Sequence, residues 1–294
     1  MTAHQAEFRL AAMCRVLQVS PSSYYAAAKR LPSLHDTVDL ALREDIKRLH
    51  AEHRCAPGAV KTWRLLHAQG IICGKHRVAR LRKLDGITSM RRQRFRVMQT
   101  HQHTEPPAPD LLQRKFNVAA PNTAWVGDIT SIRTREGWLH LAIVLDLFAR
   151  RVVGWSMDTS QPAMLPIAAL RMAIAQRKPP ANLICHTDQG SVYGSAAYRS
   201  VLQEHQLRPS MSRRGNCHDN AVAESFFSQL KNEITHNTTY ATREEAKAAI
   251  VDYIEVYYNR MRLHQSLKYR TPIEVEVHYA SIKNPPHREG VTLH

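Results

Sequence analysis

Three acidic residues are spaced along the chain in a way that could support phosphoryl transfer. Asp128 lies inside a predicted strand, Asp188 follows a later strand, and Glu224 lies on a predicted helix. Between them lie 59 and then 35 residues. Mg²⁺ prefers carboxylate oxygens and keeps water and phosphate ligands, and two such ions about 3.5–4 Å apart can activate an attacking oxygen and neutralise a leaving one. An acid inside a strand otherwise needs a partner, because charges are rarely buried alone. We therefore predict a two-metal site, although each acid taken singly would be interpreted as a surface charge.

Lys231 follows Glu224 by seven residues, nearly two helical turns, so both side chains should point to one side of their helix. There the lysine would hold a DNA phosphate, whereas taken alone it would be interpreted as a solvated side chain. Asp146 is interpreted instead as an ion-pair partner of the nearby Arg150 and Arg151, and Asp219 as the N-cap of the Glu224 helix.

The elements that must position these acids form an α/β pattern. Residues 124–132, 138–146 and 151–158 are rich in Val, Ile, Leu and Trp and predict three consecutive strands. The remaining predicted elements are a helix at 163–176, a strand at 182–186, a helix at 195–205, a strand at 208–212, and helices at 219–235 and 243–262. This order predicts a ribonuclease-H-like mixed sheet, in which the first three strands form a meander and helices cover both faces.

The first third of the chain is helical and basic. Residues 7–30 and 58–85 predict two helix-turn-helix modules, with a charged amphipathic helix at 36–54 between them. We place a helical DNA-binding region at 1–96, a Pro-containing linker with little core-forming potential at 97–120, a catalytic core with C-terminal helices at 121–282, and a loose tail at 283–294. The predicted DNA contacts here form a basic stripe beside an apolar one, as a helix laid against phosphates requires: Arg77, Arg80, Lys83, Arg91 and Arg92.

The charge balance favours a polyanionic partner. The chain has 41 Lys and Arg against 25 Asp and Glu in 294 residues, a net charge of +16, and nucleic acid is the simplest partner for such an excess. Residues 1–110 carry 19 basic and 9 acidic side chains, a net of +10, and the longer remainder carries a net of +6. The sequence contains no apolar run of about 18 residues, so we expect no membrane span. The first residues lack the layout of a signal peptide.

The five cysteines favour a reducing compartment. Their number is odd and no two form a C-x-x-C pair, so we expect no disulfide framework and a location in a reducing cytoplasm. A zinc site around His50, His53, Cys55 and Cys73 would need a second close pair of ligands. Only His76 lies near Cys73, so scattered core cysteines and solvated histidines are the favoured interpretation.

Taken together, the motifs resemble the OrfB-type insertion-sequence transposases, which belong to the DDE recombinase group with the retroviral integrases. The resemblance spans nearly the whole chain, beginning with residues 13–25. Its segments are Trp125–Thr130 (WVGDIT), residues 146–155 (DLFARRVVGW), residues 186–191 (HTDQGS), residues 212–231 (SRRGNCHDNAVAESFFSQLK) and residues 257–272 (YYNRMRLHQSLKYRTP). The 35-residue gap before Glu224 and the lysine seven residues after it are the most specific features.

The resemblance implies roles for this chain's residues. Asp128, Asp188 and Glu224 would bind two Mg²⁺ ions, with Mn²⁺ able to substitute. Water would cleave the ends of the element, and the freed 3′-OH would attack another phosphodiester, without ATP and without a covalent protein–DNA intermediate. Residues 212–218 would form a mobile loop at the active site. Further DNA contacts are expected there and in the C-terminal motif: Arg213, Arg214, Asn216 and Arg262.

The chain also departs from the family pattern. Residues 55–61 (CAPGAVK) stand where a Tyr-Gly segment is usual, which weakens the case for standard recognition of element ends, and Val192 replaces a more usual polar residue. In this family a shorter upstream frame encodes another helix-turn-helix and a helical zipper. We therefore expect an upstream-frame fusion partner, and a homo-oligomer on element ends and target DNA. Two other functions stay open at this point: a ribonuclease-H-like nuclease without strand transfer, and a non-catalytic DNA-binding regulator.

Overall fold

The computed structural model describes residues 1–29, 33–89, 107–213, 217–235 and 238–283. Within the N-terminal part, five α-helices follow one another: α1 (Leu10–Val16), α2 (Pro21–Lys29), α3 (Leu34–Glu52), α4 (Ala59–Ala68) and α5 (Lys75–Leu84). Helices α3, α4 and α5 share a small apolar core that includes Ile46, Leu66 and Val78. Ser33 caps α3 through a capping box with Asp36, which satisfies two backbone donors at the helix start.

The larger part of the chain is built on a five-stranded sheet. Its strands are β1 (Ala124–Thr134), β2 (Gly137–Asp146), β3 (Arg151–Asp158), β4 (Ile184–Thr187) and β5 (Arg208–Met211). They lie in the order β3-β2-β1-β4-β5. The first three pair antiparallel as a meander, whereas β4 lies parallel to both β1 and β5. The mixed sheet with a leading meander confirms the predicted strand order.

Helices cover both faces of this sheet. They are α6 (Met164–Arg177), α7 (Ala196–Glu204), α8 (Ala221–Leu230), α9 (Arg243–Asp252) and α10 (Pro272–Lys283). Two π-helical segments, π1 (Lys231–Thr235) and π2 (Tyr253–Tyr258), continue α8 and α9. Because alternate strand residues face opposite ways, Val126 joins a core with α8 and π2, while Trp125 joins another with α6 and α7.

The segment predicted as a linker contributes to the first of these cores. Leu112 is only 3% exposed, and Phe116 and Val118 pack against the same cluster. The prediction of little core-forming potential is therefore wrong for this stretch, because apolar side chains separated by polar residues still reach a common core. Residues 97–106 and 284–294 lie outside the described part of the chain.

The helical region contacts the core through the end of α3. Arg54 forms an ion pair with Asp252, and its guanidinium lies 5.8 and 5.3 Å from the ring centres of Tyr253 and Tyr257. The Tyr257 hydroxyl donates to the backbone carbonyl of His53 at 3.0 Å. These contacts join α3 to π2. Across the described residues, no helix is both long and apolar enough to cross a membrane.

Candidate active site

The parallel pairing of β1 and β4 brings two of the three acids together. Val126 lies beside His186 in this register, and each is followed two residues later by an aspartate, Asp128 and Asp188. Side chains two residues apart lie on the same face of a strand. Burial and then the charge of Asp188 raise the pKa of Asp128, so the two carboxylates interact.

Helix α8 brings the third acid to the same place. Its buried face, which includes Ala223 and Phe226, packs into the core beside β1. Just before the helix, the side-chain amide of Asn220 donates to a backbone carbonyl of β1 at 3.2 Å. Glu224 lies in the first turn of this helix, and its charge acts on Asp128 in the same direction as that of Asp188.

The electrostatics of Asp128 are those of a crowded acidic site. Burial is the main cause that raises its pKa well above the usual value, and repulsion by Asp188 and then by Glu224 adds to it. The backbone N–H of Ile129, 2.8 Å from Asp128 Oδ1, and the charge of Lys231 act in the opposite sense. Lys231 is half-buried, and its own pKa is lowered by burial, which attraction to Asp128 partly offsets.

The turn after β4 orients Asp188. The backbone N–H of Gly190 donates to Asp188 Oδ1 at 2.9 Å, and a side chain at position 190 would collide with that oxygen. Tyr193 lies beneath the turn with 3% exposure. Burial chiefly raises its pKa, and the charges of Asp128 and Asp188 add to the effect. The tyrosine therefore stays neutral and forms an uncharged floor to the site.

His186 fixes the strand that carries Asp188. Its ring is fully buried, and its nitrogens lie 2.8 Å from the Ser210 hydroxyl and 3.1 Å from the Ser212 hydroxyl. Burial lowers the pKa of the histidine, so it is neutral at pH 7. The ring thus joins β4 to β5 and its extension through hydrogen bonds, rather than acting as a proton donor at the site.

The chemistry of the donor set fits a hard divalent cation. Oxygen ligands are those that Mg²⁺ prefers, and Mg²⁺ commonly uses one or two carboxylates together with water and substrate phosphates. Burial is the main cause that raises the pKa of Asp128, and the repulsion by Asp188 and Glu224 that adds to it is what a bound cation would relieve. Within the residues described, no three His, Cys, Asp or Glu side chains lie close enough together to hold a metal ion.

Comparison with known proteins identifies the family of this sequence. Models of the "Integrase core domain" match residues 118–217 and 205–272, and a model of an "HTH-like domain" matches residues 37–95. Transposase InsF of insertion sequence IS3A from Escherichia coli K12 is 41% identical over 263 residues, covering 89% of this chain and 91% of that one. The chain belongs to the insertion-sequence transposases with an integrase core. It is a DNA transposase of the DDE type, and its ribonuclease-H-like fold is as predicted.

A second sequence relative agrees with this assignment. The 31 kDa protein of insertion element IS600 from Shigella sonnei is 40% identical over 255 residues, covering 87% of the transposase and 94% of that protein. Among solved structures, a simian T-cell lymphotropic virus intasome with the PP2A subunit B56 gamma superposes at a TM-score of 0.46 and 16% identity, covering 79% and 74% of the two chains. The superposition is loose, and the assignment rests on the sequence relatives. The integrase-core family is metal-dependent.

Asp219 has a different role from the predicted helix cap. Its buried carboxylate accepts hydrogen bonds from the backbone N–H of Arg213 at 3.1 Å, from the Arg213 guanidinium at 2.9 Å, and from Arg114 at 2.7 Å. These bonds, led by that from the Arg213 side chain, hold the pKa of Asp219 below its usual range. Asp219 therefore joins the end of β5 and the segment at 114 to the start of α8.

The remaining predicted DNA contacts, in the helical region and in the loop at 212–218, divide into three groups. Arg77 and Arg80 both donate to the nearly buried carboxylate of Asp39, at 2.6 and 2.5 Å. Lys83 is exposed on α5. The others lie outside the described residues: Arg91, Arg92, Arg214 and Asn216.

Arg262 requires a correction, because it does not face solvent where DNA would bind. It is 8% exposed and donates three hydrogen bonds, of 2.7 to 3.0 Å, to the carboxylate of Glu233. A guanidinium engaged in this way has little capacity left for a phosphate. The prediction of a DNA contact at Arg262 is wrong for this structure. The interpretation of Asp146 as a partner of Arg150 and Arg151 is also wrong: its carboxylate accepts from the backbone of Asn122 and Phe148 and lies 3.4 Å from Arg177.

Several residues of the site carry no local sequence signal. Tyr193, Asn220 and Glu233 reach it through contacts across the fold. For Tyr193 the only clue is its position three residues after Gly190 in the turn that holds Asp188. Glu233 lies two residues after Lys231, and its partner Arg262 is 29 residues away, so no spacing rule connects them.

Proposed function

We propose that Asp128, Asp188 and Glu224 are the metal ligands and catalytic residues of this transposase. The observation that carries the proposal is the register of β1 and β4, which brings Asp128 and Asp188 together under α8. In this proposal the three carboxylates hold two Mg²⁺ ions, and Mn²⁺ can substitute. When bound, the metal supplies charge neutralisation at the attacking and leaving oxygens of a phosphodiester.

The chain's own residues prepare the site for this chemistry. Gly190 holds one oxygen of Asp188 through its backbone N–H, which fixes the orientation of this carboxylate. Tyr193 excludes water from below. Lys231 interacts electrostatically with Asp128 and would bind the phosphate next to the scissile bond. We propose hydrolysis at the ends of the element, followed by attack of the freed 3′-OH on target DNA.

The DNA path is proposed to run from the helical region to the active site. Lys83 and Arg213 are exposed and would contact phosphates. Arg77 and Arg80 would do so with the guanidinium donors that Asp39 does not use. The other proposed DNA contacts are Arg91, Arg92, Arg214 and Asn216. We further propose a homo-oligomer on DNA, an upstream-frame protein as fusion partner, and a nucleoid location in a bacterial cytoplasm. The divisions at residues 96, 120 and 282 remain proposals as well.

The test is a strand-transfer assay on duplexes that carry the terminal sequences of the element encoding this chain. Asp188→Asn and Glu224→Gln should abolish cleavage and joining in Mg²⁺ while DNA binding persists, because metal ligation alone is lost. Glu204→Gln, an exposed acid on α7, is the matched control. Wild-type activity in both site variants would refute the proposed ligands. Cut products that are never joined would instead indicate a nuclease, and metal-independent binding without turnover would indicate a regulator.

A further inference from the structure

A buried ion pair lies behind the lysine of the active site. Glu233 and Arg262 have side chains that are 7% and 9% exposed, and three hydrogen bonds of 2.7 to 3.0 Å join them. Tyr253, which is fully buried, donates a fourth bond from its hydroxyl to Glu233 at 3.0 Å. A buried charge pair needs such complete hydrogen bonding to offset the loss of water.

The surroundings of this pair are closed to substrate. Tyr253, Tyr257 and Tyr258 are each at most 3% exposed, and the charge of Arg262 acts on the pKa of all three. Lys61 of α4 approaches from the helical region, and burial, with the charge of Arg262, lowers the pKa of this lysine to about 8. The pair therefore lies inside the protein, where π1, π2 and α4 meet.

The backbone connects the pair to the active site. Glu233 and Lys231 both belong to π1, two residues apart, so their side chains project to nearly opposite sides of the helical turn. On one side Lys231 interacts electrostatically with Asp128, and on the other Glu233 is bound by Arg262 and Tyr253. A π-helical turn is a rare geometry that persists only where its surroundings support it, and it often marks functional sites.

We infer that Glu233 and Arg262 are positioning residues for the transposition reaction: by fastening π1 from behind, they hold Lys231 at the catalytic carboxylates. The inference rests on the proposed roles of Asp128 and Lys231. It assigns Arg262 an internal function in place of a DNA contact, and it gives the C-terminal motif a direct connection to the catalytic site.

A double-mutant cycle tests this connection in the full-length chain. Glu233→Gln with Arg262→Met replaces the charged pair by neutral side chains of similar size, and Lys231→Ala removes the group that the pair should position. We expect each change to lower the rate of strand transfer at saturating DNA by about tenfold, since small misplacements of a positioned group have effects of this order. In the Lys231→Ala background, loss of the pair should lower the rate no further.

Salt dependence of DNA binding provides a second readout. Removal of a phosphate contact lowers the slope of log K against log salt by about one. Lys231→Ala should show that decrease, and loss of the pair in that background should add nothing. A further decrease would mean that Arg262 itself contacts DNA and would overturn the inference, as would rates that fall independently in the cycle.

Two more variants separate positioning from folding and from the proposed site. Tyr253→Phe removes one hydrogen bond to Glu233 and keeps the ring, so it stays informative if the pair variant does not fold. We expect it to lower the rate two- to fivefold, on the order of one hydrogen bond, in a protein that stays folded at the assay temperature, and to have no effect on the rate when Lys231 is absent. An effect that persists without Lys231 overturns the inference. Asp128→Asn with full activity would refute the proposed site itself, whatever the cycle shows.

Discussion

Gly190 offers a way to displace one carboxylate of the active site without removing it. Its N–H donates to Asp188 Oδ1 at 2.9 Å, and a methyl group added at Gly190 would lie 2.9 Å from that same oxygen. Gly190→Ala therefore forces the Asp188 side chain to rotate or shift. The next nearest atom, Tyr193 Cδ2, would lie 3.5 Å from the new methyl group, so the backbone of the turn does not have to move.

The size of the effect follows from this distance. Ordinary contacts of such a methyl group begin at 3.4 Å, so the carboxylate must move by about 0.5 Å to reach normal van der Waals separation. Active-site groups need to be held within about 0.5 Å, and a displacement of 1 Å can lower a rate about 100-fold. We expect strand transfer to fall about tenfold, equivalent to about 1.4 kcal/mol in the barrier. Stability should change by less than about 1 kcal/mol, because only the end of a side chain has to move.

The assay combines strand transfer over a Mg²⁺ titration with urea unfolding. Besides a lower maximum rate, Gly190→Ala should need more Mg²⁺ to reach half of it, since one ligand is misplaced. Gly127→Ala is the comparison: its methyl would meet its nearest neighbour, Thr187 Cγ2, at 3.4 Å, an ordinary contact, so it should cost much less activity. The reasoning is refuted if Gly190→Ala keeps both the wild-type rate and the wild-type Mg²⁺ midpoint, or if the two variants lose activity equally.

Two further predictions concern stability. Gly154 on β3 lies so close to α6 that an added methyl group would overlap the Ala169 carbonyl oxygen and lie 2.8 Å from Ala173 N. Gly154→Ala should therefore destabilise the fold by about 1–3 kcal/mol. An unchanged urea midpoint would contradict this packing. Asp219→Asn should cost about 1–2 kcal/mol at pH 7, because it weakens charge-assisted bonds from Arg213. The pKa of Asp219 is held below its usual value by those bonds, so this stability is present above about pH 3.8 and is lost as the pH falls further. If the stability difference between the wild type and Asp219→Asn did not shrink in acid, the charge-assisted bonds of Asp219 would not be its source.

The parts of the fold that depend on local pattern could be predicted from the sequence. The run at 151–158 forms β3 over those residues, and the module predicted at 58–85 contains α4 and α5, because apolar periodicity and turn residues act within a few positions. Asp128 and Asp188 were identifiable because an acid inside a strand and an acid just after one need an explanation, and their strands turned out to be neighbours.

The parts that depend on distant partners could not be predicted. Arg262 was assigned to DNA because it lies in a basic, polar motif, yet its partner Glu233 lies on another element. Leu112 lay in a Pro-containing segment that was interpreted as a linker, yet it enters the core of the sheet. In both cases a side chain's role depends on which surface it meets after folding, and no spacing in the sequence records that.

The acidic cluster should make the transposase less stable when metal is removed, and Asp128 allows this to be measured. Burial and the charge of Asp188 raise the pKa of Asp128, so the folded protein binds this proton more tightly than the unfolded chain. For such a group, stability falls as the pH rises from the unfolded pKa through the folded one. Asp128→Asn removes the repulsion and should raise the free energy of unfolding in EDTA at neutral pH by about 0.5–2 kcal/mol, the gain typical of relieving strain at an active site.

Magnesium should reverse the order of stability of the wild type and Asp128→Asn. A ligand that binds only the folded state adds stability according to its concentration and affinity, so Mg²⁺ should raise the unfolding temperature of the wild type and have much less effect on Asp128→Asn. Thermal unfolding in EDTA and in a Mg²⁺ series, without DNA, measures both effects, with Glu204→Gln as an exposed acid for comparison. If Asp128→Asn were less stable than the wild type in EDTA, the carboxylate would be serving the fold rather than a metal. Equal stabilisation of both proteins by Mg²⁺ would place the binding site elsewhere.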